Sequence, residues 1–487
     1  MKLFSTLFEE GGSLTQKATR GGVWVIFSFI FGKILNFIQT IILVRLLLPS
    51  DFGLMSLASV TIGAMNVFTE TGINNTLIHR KHVSSEVLDT AWATNIIRGF
   101  VLFSLLFLLS PLIGNFYKNY ELINVTRVIA AIFLINGFGN IGIVLFSKEL
   151  NFKKKASLEL ITNLLAFVLT ILLAFLFRNV WALVLGQIFF AVVTLAVSFS
   201  IHPYRPSFNF NFKVSKELFI FGKHIFVSSV LIFIITNGDN ALVGKVMGMS
   251  ALGFYALAYN LTNLPATSIT HVISQVSFPA YSKIQDDLER LEKAYIKVLR
   301  LTSFLAIPLA GGLFVLAPDF VNIAYGEKWA PMTSSVMVMC FLGLFRSLVA
   351  TMGPVFLAIG KPYLSNKVIS FQLIIMAILI YPLTKCYGIM GTAITCTIVY
   401  LFSLVFHYLS IAETMKPLKT KILKTIYKPF IISMGMITFV YLFKRLIFKE
   451  IYLPQLVILI SISCVFYILS SYLFDKEMVL SIKDIMS

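Results

Sequence analysis

The chain has 487 residues, of which 58% are hydrophobic and 13% are charged. Soluble globular domains contain roughly 45–50% apolar residues, so this composition, with a mean hydropathy of +0.88, excludes an ordinary water-soluble protein. The formal net charge of +18 raises the question of a nucleic-acid or a membrane partner.

About fourteen apolar stretches lie between Gly21 and Phe474, and a hydrocarbon core about 30 Å thick requires roughly 20 residues of helix. The stretches are continuously apolar rather than alternating, which favours helices over a β-barrel. We therefore predict an all-α polytopic membrane protein. Its predicted spans are 21–44, 53–78, 88–113, 126–146, 157–177, 180–201, 222–246, 253–278, 301–324, 333–358, 364–384, 387–411, 429–447 and 453–474.

The basic residues alternate between the connections of these spans. Most of the 40 Lys and Arg residues lie in every second connection and in the two terminal segments. Since Lys and Arg are concentrated on the cytoplasmic side of membranes, both termini are predicted to be cytoplasmic. The positive charge is then explained by topology and by attraction to lipid headgroups, and no nucleic-acid partner is expected.

Two connections are amphipathic. In 283–300, apolar residues recur at helical spacing opposite charged ones, which predicts a helix lying on the cytoplasmic surface of the membrane. In 206–213, Phe alternates with polar residues, which indicates an interfacial connector between two halves of the chain.

The chain also matches itself in a weak internal repeat. Gly22 aligns with Gly222 and Gly53 with Gly253, and both copies break at a short loop with one cation. Six predicted spans separate the copies, so the halves share one orientation and are related by an axis along the membrane normal. The predicted domains are a six-helix lobe at 1–205, a second six-helix lobe at 206–412 and two additional helices at 413–487.

Several segments resemble the recurrent motifs of a known family. In chain order they are VRLLLPSDFGLMSLA (Val44–Ala58), NVWALVLGQI (Asn179–Ile188), GKVMGMSALGFYALAYNL (Gly244–Leu261), FPAYSKIQDDLERLEKAY (Phe278–Tyr295) and YGEKWAPM (Tyr325–Met332). The chain thus resembles the Wzx-type polysaccharide flippases of the multidrug/oligosaccharidyl-lipid/polysaccharide exporter superfamily, in the branch of the lipopolysaccharide, colanic-acid and teichuronic-acid exporters.

This resemblance implies two six-helix lobes that face each other across a central cavity, in the bacterial cytoplasmic membrane. It implies translocation of an undecaprenyl-diphosphate-linked oligosaccharide, an O-antigen or exopolysaccharide repeat unit, from the inner to the outer leaflet by alternating access. A polysaccharide polymerase and glycosyltransferases are the implied partners. The family usually has Asp at the position of Glu70, so a carboxylate is kept on a longer side chain.

Motifs of soluble enzymes are almost absent from the sequence. The string GFGNIG (Gly137–Gly142) matches a dinucleotide-binding pattern, but it lies in an apolar span, where glycines favour close helix packing. The four Cys residues occur singly, without metal-ligand spacing. We expect a transporter rather than an enzyme, with no cofactor and no metal. Without a phosphate-binding loop, its energy is expected from an ion gradient or from the substrate gradient.

Ionisable residues inside the predicted spans are the candidate functional residues. Burying such groups against lipid is costly, so they are expected to face a lobe interior or the cavity, although intramembrane ion pairs are an alternative. Cations suit a diphosphate, and a carboxylate in a low-dielectric cavity takes up a proton more readily than in water. The predicted substrate-binding residues are Lys33, Arg98, Arg346, Asn237 and His271, and the predicted residues for H⁺ or Na⁺ coupling are Glu70 and Asp239.

Two other functions remain open at this stage. An ion-coupled antiporter of drugs or other small molecules, from the same superfamily, would have a cavity rich in acidic and aromatic groups. A polymerase or membrane glycosyltransferase would carry a long external or catalytic loop, whereas every non-cytoplasmic connection here is short.

Overall fold

The computed structural model describes residues 14–68, 73–80, 83–149, 151–414, 418–448 and 450–475. Within these ranges every regular element is a helix, which confirms the all-α prediction. The chain divides into two compact units, Met1–Phe233 and Ile234–Ser487. The division into two six-helix lobes and a C-terminal helix pair stays a prediction.

In the described residues, unit 1 contains eight complete helices and the beginning of a ninth. The helices are α1 (Leu14–Leu46), α2 (Pro49–Phe68), α3 (Ile73–His79), α4 (Ser85–Tyr117), α5 (Tyr120–Gly137), α6 (Ile143–Lys148), α7 (Phe152–Phe177), α8 (Val180–Ile201) and α9 (Phe212–Met247).

Short, strongly capped turns join these helices. Lys118 follows the end of α4 and Arg178 follows the end of α7, both as C-caps with a left-handed backbone, at φ of 54° and 50°. The next residue in each case is an Asn, and the side chains of Asn119 and Asn179 accept hydrogen bonds from the first backbone N–H groups of α5 and α8. These contacts satisfy amide groups that have no partner within the helix.

Helices α4 and α5 approach closely at two glycines. A Cβ atom on Gly99 would lie 2.5 Å from the carbonyl oxygen of Phe133, and one on Gly137 would lie 3.0 Å from that of Asn95. Any side chain at these positions would push the helices apart. Gly137 begins the GFGNIG string, so the structure confirms packing as the role of this glycine.

The connector after α8 is tied to the start of α4 by a buried carboxylate. Asp89 is 6% exposed and accepts hydrogen bonds from the Tyr204 hydroxyl and from the backbone N–H and hydroxyl of Ser207. The ring of Phe208 packs on Trp92 with centroids 4.9 Å apart. The connector is therefore a specifically bonded strap on unit 1 rather than a loose amphipathic segment.

One histidine supports the same strap. His202 Nδ1 accepts the backbone N–H of Tyr204 at 3.1 Å, which requires an imidazole that is unprotonated at this nitrogen. Burial lowers the pKa of His202 and so favours the neutral ring.

The part of unit 2 that the structure describes contains the rest of α9 and seven further α-helices. They are α10 (Met249–Ser282), α11 (Leu288–Phe320), α12 (Thr333–Ala350), α13 (Gly353–Ala358), α14 (Pro362–Thr414), α15 (Leu418–Ile447) and α16 (Leu453–Phe474). A π-helical turn (Val321–Tyr325) and a 3-10 helix (Glu327–Met332) join α11 to α12, with Gly326 between them at a φ of 104°.

The predicted surface helix at 283–300 is the beginning of α11. The helix starts at Leu288, behind an Asp287 side chain that accepts the backbone N–H of Arg290, and continues without a break into the predicted span 301–324. Its apolar face belongs to a protein core: Leu291, Tyr295 and Leu299 are fully buried, and their cluster includes residues of α12 to α15. The amphipathic pattern correctly predicted a helix. The prediction that its apolar face lies on the membrane is wrong, because this face packs on protein.

Eleven helices of the described residues are long and apolar enough to cross a membrane, so the predicted count of about fourteen is not confirmed. One difference is that Pro362–Glu413 unites two predicted spans, 364–384 and 387–411. Gly388 kinks this element at a φ of 62° and a ψ of −144°.

Two predicted spans, 53–78 and 253–278, are not among these helices. Helix α2 ends at Phe68, well before the predicted end of the first of them. Helix α10 overlaps the second of them and contains polar residues such as Asn260 and Asn263. The two helices are counterparts in the internal repeat.

We predict that Asp89→Ala weakens the strap. The substitution removes the acceptor of the hydrogen bonds from Tyr204 and Ser207, so it should destabilise the protein by about 1–3 kcal/mol. Thermal unfolding of the purified protein in detergent measures this as a lower midpoint.

The matched control is Glu86→Gln, on the same helix turn. Its hydrogen bond from Asn211, at 2.8 Å, is exposed to solvent, so this variant should unfold close to the wild-type temperature. Equal midpoints for Asp89→Ala and Glu86→Gln would contradict the strap.

Candidate functional site

A cluster of polar side chains lies inside unit 2, where four helices meet. It comprises Asp239 on α9, Tyr255, Tyr259 and Asn263 on α10, Arg346 on α12, and Cys396 and Tyr400 on α14. Residues four positions apart share one face of a helix. The spacing of the three α10 residues and of the two α14 residues therefore aims each set into the same cluster.

Asp239 lies at the closed end of this cluster. It is 1% exposed, and its Oδ2 atom accepts hydrogen bonds from the Tyr255 hydroxyl at 2.7 Å and from the Cys396 thiol at 3.7 Å. Its Oδ1 atom accepts the backbone N–H of Asn240 at 2.8 Å. No Lys or Arg side chain in the described ranges forms an ion pair with Asp239. Hydrogen-bond donors alone stabilise this buried carboxyl group, which suits a group that exchanges a proton or a cation.

Arg346 lies at the more open end of the cluster and is half-buried. Its Nη1 atom donates to the Tyr259 hydroxyl and, at 3.5 Å, to the Asn263 amide oxygen. The guanidinium carbon is 6.0 Å from the ring centroid of Tyr259 and 5.6 Å from that of Tyr400. Both rings attract the cation through their π-electrons. A positive charge is thus fixed among neutral groups.

Tyr255 and Tyr259 separate the acid from the cation. Their rings are stacked with centroids 6.4 Å apart, and one hydroxyl bonds Asp239 while the other bonds Arg346. The opposite charges are therefore held in one cluster without neutralising each other directly. The alternative expectation of an intramembrane ion pair does not describe Asp239 and Arg346.

Two predicted cations lie in unit 1. The Nζ atom of Lys33 on α1 is 5.5 Å from the ring centroid of Phe29. Arg98 on α4 donates from Nη2 to the Asn66 amide oxygen on α2, at 3.3 Å. Both side chains are half-buried. Lys33 lies on α1 and Arg98 on α4, so the two cations occupy separate positions in this unit.

Three predicted site residues remain, and the structure describes the side chain of one of them. Asn237 on α9 is half-buried, and its amide nitrogen lies 3.0 Å from the Thr236 hydroxyl. His271 belongs to α10, but its side chain lies outside the described residues, as does the whole of Glu70. In the ranges that the structure describes, no group of three or more His, Cys, Asp or Glu residues is arranged to hold a metal ion.

Sequence analysis missed the neutral partners of the two charged residues. The motif segment GFYALAYNL contains Tyr255 and Tyr259, and Asn263 lies just after it. These three residues are four positions apart, and this helical spacing was the signal that could have revealed a shared polar face. Cys396 and Tyr400 gave no such signal, because single Cys and Tyr residues are common in apolar helices.

Comparisons with known proteins identify the relatives of this chain. Residues 42–334, more than half of its length, match the family model described as polysaccharide biosynthesis protein. The lipopolysaccharide biosynthesis protein WzxC of Escherichia coli K12 is 29% identical over 425 residues, which cover 87% of this chain and 85% of WzxC. The teichuronic acid biosynthesis protein TuaB of Bacillus subtilis is 25% identical over 431 residues, or 88% of this chain and 89% of TuaB.

Among solved structures, the fold is similar to that of the lipid II flippase MurJ in an inward closed conformation. The TM-score is 0.73 at 17% identity, with 93% of this chain and 99% of MurJ covered. This similarity confirms the predicted fold of the exporter superfamily. The chain is a multi-pass membrane protein that belongs to the family of polysaccharide biosynthesis proteins.

Proposed function

We propose that the protein is a flippase that moves an undecaprenyl-diphosphate-linked oligosaccharide from the inner to the outer leaflet of the cytoplasmic membrane by alternating access. The observation that carries this proposal is the match, over most of the chain, to relatives named for polysaccharide biosynthesis. The fold shared with a lipid II flippase supports transport of a lipid-linked saccharide.

The charges inside the helices fit an anionic lipid substrate. Lys33 contacts an aromatic ring, Arg98 an amide oxygen, and Arg346 a phenol and an amide oxygen. The neutral partners of Lys33 and Arg346 leave these two positive charges available to a ligand. A diphosphate binds strongly to cations through charge-assisted hydrogen bonds, and we assign it to Lys33 and Arg98.

Ion coupling is the second part of the proposal. The sequence contains no phosphate-binding loop for ATP, so an ion gradient or the substrate gradient supplies the energy. Asp239 is the candidate coupling residue, because it is buried and its hydrogen-bond partners among the described residues are hydroxyl, thiol and N–H donors. Glu70 is the candidate in unit 1 on sequence grounds.

The multidrug antiporter is the less supported alternative. The compared relatives are named for lipopolysaccharide and teichuronic acid biosynthesis, and a drug antiporter would need a site dominated by acidic and aromatic groups. Here the acid of the unit 2 cluster is accompanied by a guanidinium group. A polymerase and glycosyltransferases that make and use the same saccharide are the proposed partners.

We predict that replacing Lys33 or Arg98 by Ala reduces export about tenfold or more. A charge-assisted hydrogen bond is worth roughly 1.5–3 kcal/mol, and each 1.4 kcal/mol is a factor of ten. Lys33→Arg should keep part of the activity, because it keeps the charge. Export is measured as surface polysaccharide in cells that lack the native gene, at matched protein levels.

The control for this experiment is Lys385→Ala. Lys385 is an exposed lysine near the kink of α14, in a predicted external connection, and its removal should be nearly silent. Normal export by both Lys33→Ala and Arg98→Ala would show that the diphosphate is recognised elsewhere.

A further prediction concerns topology. If both termini are cytoplasmic, Ser282→Cys should react with a membrane-impermeant maleimide only after the cells are opened, and Glu327→Cys should react in intact cells. The protein without the added cysteine is the background control. Reaction of Glu327→Cys only in opened cells would invert the proposed orientation.

A further inference from the structure

An arginine that the proposed function does not use lies where helices α4 and α5 pack together. Arg127 on α5 is half-buried, and its Nε atom donates a hydrogen bond of 3.0 Å to the hydroxyl of Ser110 on α4. The guanidinium carbon lies 5.0 Å from the ring centroid of Phe107, also on α4. We call Arg127, Ser110 and Phe107 the Arg127 site.

The position of Ser110 follows from a proline in α4. Pro111 has no N–H group to donate to the backbone carbonyl of Phe107, four residues earlier. The Ser110 hydroxyl, which is fully buried, donates to this carbonyl instead, at 2.8 Å. Since that bond uses its hydrogen, the Ser110 oxygen can only accept from Arg127. The guanidinium group is therefore fixed through Nε.

The Arg127 site leaves the outer edge of the guanidinium group available to a ligand. A guanidinium group has five N–H donors, of which four belong to the two Nη atoms. In the described part of the chain, Arg127 donates its hydrogen bond from Nε, and no carboxylate forms an ion pair with it. The Phe107 ring attracts the positive charge without neutralising it. The two Nη atoms can therefore bind an oxyanion from outside the protein.

The turn between α4 and α5 holds this cation in place. A Cβ atom on Gly114 would clash with the side chain of Ile123, so the two helices are in close contact beside their turn. The Asn119 side chain caps α5 by accepting the backbone N–H of Leu122 at 3.0 Å. A cation held in one position loses little conformational freedom when it binds a ligand, which favours affinity.

The surroundings of the site are those of a lipid-facing surface. Phe107 is 40% exposed, and Leu108 and Leu112 on the same helix are 73% and 65% exposed. In a multi-pass membrane protein, an exposed face of large apolar side chains contacts lipid. The Arg127 site therefore borders lipid along α4.

The depth of the site matches that of lipid phosphates. Helix α4 has 33 residues and is about 50 Å long, so it extends about 10 Å beyond each side of a hydrocarbon core about 30 Å thick. Ser110 and Arg127 each lie about two helical turns, or about 10 Å, from the turn that joins α4 to α5. They are thus at the boundary between hydrocarbon and headgroups.

The charges of the hairpin favour a lipid with a net negative charge. Lys118 and Glu121 are both exposed at the turn, and their opposite charges cancel. Arg127 then contributes one uncompensated positive charge, which a phosphodiester with an otherwise neutral headgroup balances. A zwitterionic headgroup brings its own cation and leaves the site with a net positive charge.

We propose that the Arg127 site binds the phosphate of an anionic phospholipid such as phosphatidylglycerol. The Nη atoms of Arg127 donate to the phosphate oxygens, Ser110 holds the guanidinium group, and the acyl chains lie along the apolar face of α4. The site is independent of the proposed transport function, because none of its residues is assigned to the transported substrate.

Native mass spectrometry of the full chain in detergent tests this proposal, since it resolves each bound lipid. The probes are phosphatidylglycerol, phosphatidylcholine with the same acyl chains, and farnesyl diphosphate. We expect wild-type protein to bind its first phosphatidylglycerol about tenfold more tightly than phosphatidylcholine. Arg127→Gln should lose this preference and bind farnesyl diphosphate as wild type does.

Two further variants complete the experiment. Arg178→Gln removes the same charge from an exposed residue that follows α7 with the same left-handed backbone as Lys118, and it should keep the full preference. Ser110→Ala keeps the cation but removes its anchor, so it should weaken phosphatidylglycerol binding about threefold. Gel filtration and the thermal midpoint report folding of each variant.

Four results would overturn the proposal. Wild type could bind the two phospholipids equally, or Arg127→Gln could keep the full preference, as could Ser110→Ala in the event that Arg127→Gln does not fold. An equal loss in Arg178→Gln would show a general effect of charge. Loss of farnesyl diphosphate binding in Arg127→Gln, to the same extent as loss of phosphatidylglycerol binding, would assign the site to the transported substrate.

Discussion

The whole structure depends on the cost of an unpaired polar group in an apolar solvent. The hydrocarbon core offers no water to backbone N–H and C=O groups, so each segment bonds them internally as a helix. Small polar side chains follow the same rule. The hydroxyls of Thr94, Thr162 and Thr302 each donate to the backbone carbonyl four residues earlier, at 2.7 to 2.9 Å. The helices can therefore contain many polar residues and still face lipid or one another.

The same constraint explains how two of the buried carboxylates are held. Asp89 and Asp239 are both almost inaccessible, and in both cases the described partners are hydroxyl, thiol and backbone N–H groups rather than Lys or Arg. A buried ion pair would also satisfy such a group, but it would neutralise a cation inside the membrane. Because hydrogen-bond donors satisfy Asp239, its carboxyl group does not need Arg346 as a partner. The positive charge of Arg346 then stays available for an anionic substrate.

The sequence was sufficient for the fold and insufficient for the contacts. Long apolar runs predicted helices correctly, and the apolar setting of Gly137 correctly favoured packing over a nucleotide site. The same reasoning failed for 283–300, because an amphipathic pattern gives the apolar face of a helix but not what covers it. It also missed Tyr255 and Cys396, since only the tertiary packing of α9, α10 and α14 brings their donors to Asp239.

The internal repeat shows why the candidate sites differ between the two units. Helices α1 and α9 are followed after a short break by α2 and α10, so each copy has the same sequence of elements. The chemistry of the equivalent positions differs: Lys33 aligns with Phe233, and Gln39 with Asp239. A duplicated helix pair must keep its packing residues, whereas a position that faces a polar interior can change its charge at little cost to the fold. A cation in the first copy and an acid in the second are therefore compatible with one shared architecture. The separate roles that we propose, recognition of the diphosphate in unit 1 and of a coupling ion in unit 2, would follow from this division.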